Sequence, residues 1–250
     1  MSLVSLKEIM TKHDGAVGAF STYDMFTAQG IIKGAEEANL PVILMIGEVP
    51  LLAEGNLEVA RVMIKLAKEA KVDACVFLDH SRNIETCKMA VDMGFSAVMI
   101  DASHADLEEN ISLTNMVTEY AKKAGVSVEA ELGALAGIED GVEVKDSKMT
   151  TVSQVKGFLD RTDVDALAVS IGNAHGLYKG IPNLNFKRLE EIKEVSKDKP
   201  LVLHGGTGIT DEQFAKGISM GIKKVNIGTE VKRQYMDGFV RHHAAKGDAY

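Results

Sequence analysis

Eight runs of branched apolar residues, separated by segments of helical period, constrain this chain more than any other feature in it. The runs are Ala16–Ser21, Val42–Gly47, Ala74–His80, Ala97–Ser103, Ser127–Leu132, Ala166–Gly172, Leu201–Gly205 and Lys224–Ile227. Most lack the polar alternation of a half-exposed strand, so they read as strands buried on both faces, as in parallel sheets. Between them Leu57, Ala60, Ile64 and Ala67 recur at threes and fours, as do Ile84, Cys87, Met89, Ala90 and Met93. Asp106-Leu-Glu-Glu opens another helix with acids in its first turn, and Ala124-Gly125 ends it. Strands alternating with helices are joined in parallel by right-handed crossovers. Eight such units close a (β/α)8 barrel more naturally than an open sheet, and the length of 250 residues suits one. The leading segment Leu3–Lys12 reads as an extra helix across the barrel floor. With no linker or low-complexity tract, residues 1–250 are expected to form a single domain. The one long irregular stretch, Ala134–Thr150, carries glycines and charges and suits a mobile lid.

Net charge is −8, from 28 basic and 36 acidic residues. Basic residues are scattered and do not interleave with aromatics, which argues against a nucleic-acid surface. An anionic ligand would therefore be captured locally. No apolar stretch reaches the roughly 18 residues of a membrane span. The amphipathic start, with an early acid, is unlike a signal peptide, so a cytoplasmic location is expected. Cys75 falls in a strand and Cys87 in a helix without CxxC spacing, so both read as reduced core residues.

The carboxyl ends of the runs are unusually polar: Asp79-His80, Asp101-Ala-Ser103, Glu129-Ala-Glu131, His175, His204 and Asn226. Burying so many ionisable groups without a shared task is costly. Three imidazoles, one open position and nearby carboxylates make a catalytic divalent-metal site. His13, His104, His242 and His243 fall in helices or loops and receive no role. Asp79 and His80 are adjacent, so strict strand alternation would separate them; a pleat relaxed at the strand end would let both face the pocket. A lysine Schiff base is disfavoured, because no predicted polar strand end offers a lysine and Lys179 lies in a loop. The second cluster is Gly205-Gly206-Thr207-Gly208 after the seventh run, with Asn226-Ile-Gly228-Thr229 ending the eighth and opening a helix. Glycine amides and a helix N-terminus at these two loops suit a phosphate.

Together, Leu78-Asp-His, Ser96-Ala-Val-Met-Ile-Asp-Ala-Ser, Val128-Glu-Ala-Glu-Leu-Gly, Glu139-Asp-Gly, Ala174-His-Gly-Leu-Tyr, Val202-Leu-His-Gly-Gly-Thr-Gly and Lys224-Val-Asn-Ile-Gly-Thr-Glu resemble the class II, metal-dependent fructose- and tagatose-bisphosphate aldolases, in order and over nearly the whole chain. The resemblance implies that His80, His175 and His204 bind a catalytic zinc. Glu131 and Asp101 would serve a second or displaced metal position. Asp79 would move the hydroxyl proton during C–C cleavage, and Glu139 would handle the proton at the enediolate carbon. The phosphate beside the ketone would sit on Gly176, Gly205, Gly206, Thr207, Asn226, Gly228 and Thr229, where backbone groups also suit a monovalent cation. A phosphorylated ketose substrate and a homodimer or homotetramer are implied. The chain departs from the family pattern at Ser21, at Glu48, which would repel a phosphate if it pointed inward, and at Ser81-Arg82, where Arg82 reads as a solvated charge. A metal-dependent sugar-phosphate epimerase and a non-catalytic sugar-phosphate-binding barrel stay open as alternatives.

Overall fold

A computed structural model describes residues 2–135, 137–139, 142–144, 148–178 and 180–247, without the side chains of 138, 139 and 142–144. Ten strands and ten helices appear among the described residues. They follow in the order α1 (Leu6–Lys12), β1 (Val17–Ser21), α2 (Met25–Ala38), β2 (Val42–Gly47), α3 (Glu48–Leu52), α4 (Asn56–Glu69), β3 (Ala74–Ser81), α5 (Ile84–Met93), β4 (Ala97–Ile100) and α6 (Leu107–Lys123). The second half runs β5 (Ser127–Leu132), β6 (Gly137–Glu139), β7 (Val142–Val144), α7 (Val152–Leu159), β8 (Ala166–Val169), α8 (Phe186–Val195), β9 (Leu201–Leu203), α9 (Asp211–Ser219), β10 (Ile222–Ile227) and α10 (Thr229–Lys246).

Eight strands close a parallel barrel in the order β1-β10-β9-β8-β5-β4-β3-β2. Strand side chains alternate between two faces, and the core divides accordingly. Leu44, Ile46, Val76, Leu78, Val98 and Val128 join the cluster that packs outward on the helices. Val17, Ala19, Ile43, Met45, Cys75, Phe77, Ala97, Met99, Ala166, Ala168 and Val202 form the inner cluster. Leu6, Ile9 and Met10 of α1 belong to this inner cluster, so the leading helix plugs the amino-terminal floor. Carried toward the carboxyl ends, the inward register brings Ser21, Gly47, Asp79, Asp101, Glu131, His204 and Asn226 to the mouth.

β2 and β5 have the expected bounds. The floor helix begins later than Leu3 because Ser5 caps it, accepting the Glu8 N–H, while Leu3 bridges Ala74 in extended conformation. β4, β8 and β9 end before their apolar runs do, since burial continues into the loops after the ladder stops. β10 starts earlier, at Ile222, because Lys224 is an inward strand residue and not a polar boundary. Within the stretch read as irregular, β6 and β7 form an antiparallel hairpin based on the Ala134–Lys148 bridge. The Val142-Glu-Val144 alternation is the signal for it. No described helix is long and apolar enough to cross a membrane.

Candidate active site

At the end of β3 the ladder with β4 shifts register between Leu78 and Ser81, and His80 takes the left-handed φ of 43°. A non-glycine residue there is strained and must be held by its surroundings. This irregularity resolves the adjacency problem: Asp79 lines the central cavity while the His80 ring meets two others. The His80 and His204 ring centroids are 4.6 Å apart, and those of His80 and His175 5.0 Å. One nitrogen from each of His80, His175 and His204 lies within 4.8 Å of the others, and His80, Asp101 and Glu131 form an overlapping group.

The surrounding carboxylates set the tautomers. His80 Nδ1 faces Asp101 Oδ2 at 3.0 Å, and His204 Nε2 faces Glu129 Oε1 at 2.9 Å. A ring nitrogen against a carboxylate carries the proton. The remaining lone pairs, on His80 Nε2 and His204 Nδ1, then face each other at 2.8 Å. Two nitrogens at that distance need a proton or a cation between them, so the donor set fits a metal. Glu131 Oε2 stands 3.6 Å from His204 Nδ1 and 3.8 Å from His80 Nδ1.

Burial and partners oppose each other in these groups. Burial would raise the Asp101 carboxyl, but the His80 contact and two hydrogen bonds from Ser103 hold it far below the usual carboxylate range. Burial acts likewise on Glu129, where Lys224 and His204 prevail and keep it lowered. For His204 burial wins over Glu129 and depresses the imidazole, the direction that favours the neutral form a metal ligand needs. Burial pushes both cysteine thiols up to about 12, consistent with inert core residues.

Beneath the histidines lies an arrangement that sequence reading missed. Lys224 Nζ and Glu129, both fully buried, pair at 3.0 Å, and the ammonium sits 3.9 Å over the Phe77 ring. The inward register of β5 and β10 placed them there, but their separation of 95 positions hid the pairing.

Gly176, Gly205, Gly206, Thr207, Asn226, Gly228 and Thr229 all line the cavity with Asp79 and His175. Gly205 has φ 64°, and a Cβ there would lie 2.0 Å from the Ala174 carbonyl oxygen, so only glycine lets the two loops meet. Tyr178 clamps the same junction: its hydroxyl accepts the Ala174 N–H at 2.8 Å and donates to Gly205 O at 3.0 Å. Thr207 Oγ1 accepts the Glu230 N–H at the start of α10. Asn226 donates to Asp79 Oδ1 at 2.9 Å and leaves its own carbonyl oxygen buried without a hydrogen-bond partner among the described residues.

Gly137 at the foot of the hairpin packs on the His175 backbone, where a Cβ would lie 2.3 Å from its carbonyl oxygen. The Glu139 side chain lies outside the described residues, as do Ala136 and Lys179. Glu48 does not line the cavity; its carboxylate accepts from Ser81 Oγ and the Arg82 N–H. Ser21 does line it, and so do Thr22, Tyr23, Met45, Gly47, Pro50 and Lys232.

Residues 2–250 match the family model described as fructose-bisphosphate aldolase class-II. The fructose-bisphosphate aldolase of Geobacillus stearothermophilus is 42% identical over 236 residues, covering 92% of this chain and 82% of that protein. That of Staphylococcus aureus (strain Mu50) is 41% identical with the same coverage. Among solved structures, the YdjI aldolase of Escherichia coli K12 superposes with a TM-score of 0.85 at 31% identity, over 96% of this chain and 86% of that one.

Proposed function

The chain belongs to the class II fructose-bisphosphate aldolase family, a family of metal-dependent carbon–carbon lyases, and from that premise we propose that it cleaves fructose 1,6-bisphosphate or tagatose 1,6-bisphosphate reversibly to glycerone phosphate and glyceraldehyde 3-phosphate. The observation that carries the reading is the convergence of three imidazoles, the Asp79 carboxylate and the glycine-lined cradle on one cavity. Resident zinc would be held by His80, His175 and His204, with Glu131 and Asp101 at a second or displaced position; a monovalent cation would sit among the cradle's backbone groups. Bound there, the divalent ion supplies the Lewis acid that stabilises negative charge on the former ketone oxygen.

The protein's own groups do the rest. Asp79 takes the proton from the hydroxyl beside the breaking bond, with Asn226 orienting its carboxylate. Asp101 and Glu129 hold His80 and His204 in the tautomers that turn their lone pairs inward. Gly176, Gly205, Gly206, Thr207, Gly228 and Thr229 bind the phosphate next to the ketone through backbone and hydroxyl donors. Glu139 protonates the enediolate carbon. The same reading takes residues 1–250 as one domain acting as a cytoplasmic homodimer or homotetramer.

The test is triose phosphate release from each bisphosphate, with and without EDTA, by the wild type and His204→Ala. Release that EDTA and the substitution both abolish is the expected result. Cleavage indifferent to both would refute the reading.

A further inference from the structure

One wall of the cavity comes from the end of β1 and the first turns of α10, which contribute Ser21, Thr22, Tyr23 and Lys232. Thr22 is 1% exposed. Its N–H is spent on the Met45 carbonyl, yet its hydroxyl has no hydrogen-bond partner among the described residues. A buried hydroxyl without a partner at a cavity wall points to a ligand. Beside it the Lys232 ammonium sits 4.7 Å over the Tyr23 ring. The Tyr23 hydroxyl donates to Gly228 O at 3.3 Å, which ties ring and cation to the glycine that starts α10.

The charge around Lys232 matters. The acid two positions before it on α10, Glu230, is engaged by Arg233 and Gln234. No carboxylate forms an ion pair with Lys232 among the described residues. The rest of the cradle, Gly176, Gly205, Gly206, Thr207, Gly228 and Thr229, is electrically neutral apart from the helix terminus. A phosphate dianion moved onto neutral donors keeps most of its charge uncompensated, whereas a lysine offers a point charge and three donors.

We propose that Lys232 is the protein's own cation at the phosphate cradle and the residue that selects a phosphorylated ketose over an unphosphorylated one, with the Thr22 hydroxyl bonded to the same ligand. The assignment rests on the aldolase reading for its substrate class. Lys232 is exposed on its outer side, so substitution there leaves the core intact.

The experiment measures glycerone phosphate binding by calorimetry and steady-state cleavage of the better bisphosphate, using metal-loaded wild type, Lys232→Met, Lys232→Arg and Thr22→Val. Loss of a charge-assisted contact should raise both Kd and KM of Lys232→Met by about ten- to a hundredfold, with kcat and metal content far less affected. Lys232→Arg should recover most of the loss, and Thr22→Val should raise the same constants by a smaller factor. Unchanged Kd and KM in Lys232→Met, or an arginine variant no better than the methionine one, would overturn the proposal while leaving the aldolase reading standing. Lysine-dependent binding of glycerone phosphate by a wild type that cleaves neither sugar would do the reverse. A wild type that does not bind glycerone phosphate at all would sink both.

Discussion

The lower and upper halves of the barrel interior are built from the same strands and share almost no chemistry. Below, Val17, Ile43, Phe77, Met99, Ala168 and Val202 close against Leu6, Ile9 and Met10 of the floor helix. Two or more residues further along each strand, the inward positions are Ser21, Asp79, Asp101, Glu131, His204 and Asn226. The lower half is stabilised by apolar burial, which is non-directional and tolerates exchange of similar shapes. The upper half is held by partners, and each of its groups is affordable only while its partner is present. Lys224 and Glu129 mark the boundary: the ammonium rests on Phe77 below, and the carboxylate reaches His204 above.

The sharpest way to break that contrast is to remove one charge at the boundary. Lys224→Met should leave Glu129 buried and uncompensated, destabilising the fold by about 3–5 kcal/mol in urea titration. A cost below about 1 kcal/mol would mean that the pair is not the desolvated unit described. In the lower half, Met99→Ala should cost about 2–5 kcal/mol through its cavity, with metal content and KM unchanged. Loss of metal in that variant would show that the two halves are not separable.

A milder effect is expected from the double variant Lys224→Met with Glu129→Gln. It should regain much of the stability lost in Lys224→Met, since no buried charge is stranded. Its metal affinity should still fall by about 10–100-fold, because a glutamine no longer fixes the His204 tautomer as a carboxylate does. Competition with a chelating dye reads this directly, and full affinity would remove Glu129 from the account.

The smallest effect belongs to the floor's outer edge. Asp73 faces Lys12 at 2.8 Å and His13 at 2.9 Å, and the Lys12 contact leads in holding its carboxyl below the ordinary value. A lowered carboxylate stabilises the fold above its unfolded pKa and loses that contribution as pH falls through the folded one. Asp73→Asn should therefore cost no more than about 1 kcal/mol at neutral pH, and the Tm difference should start to shrink below about pH 4 and vanish only once the folded carboxyl is itself protonated. A difference that grows on acidification would contradict the sign.

Legibility in the sequence followed the same division. Strand β2 could be bounded by pattern because its burial begins and ends with the ladder, and β5 because Gly125 and Gly133 flank it. The three histidines and the glycine cradle were readable because each sits beside an apolar run or a glycine cluster that gives its place. Lys224 was not, because lysine in a sequence reads as solvent and Glu129 is far away along the chain. Thr22 and Lys232 carry no local pattern either; only closure of β1 against β10 brings them to the cavity. The turn at His80 could be anticipated as a need, to bring Asp79 and His80 to one pocket, but its left-handed backbone is a tertiary fact.

X-ray absorption on the zinc-loaded protein, beside His204→Ala, tests the central claim most directly. Three imidazoles predict a nitrogen-dominated shell at about 2.0–2.1 Å in the wild type, and loss of that shell with the bound metal in the variant. An oxygen-dominated shell, or a variant that keeps its metal and its spectrum, would contradict the account.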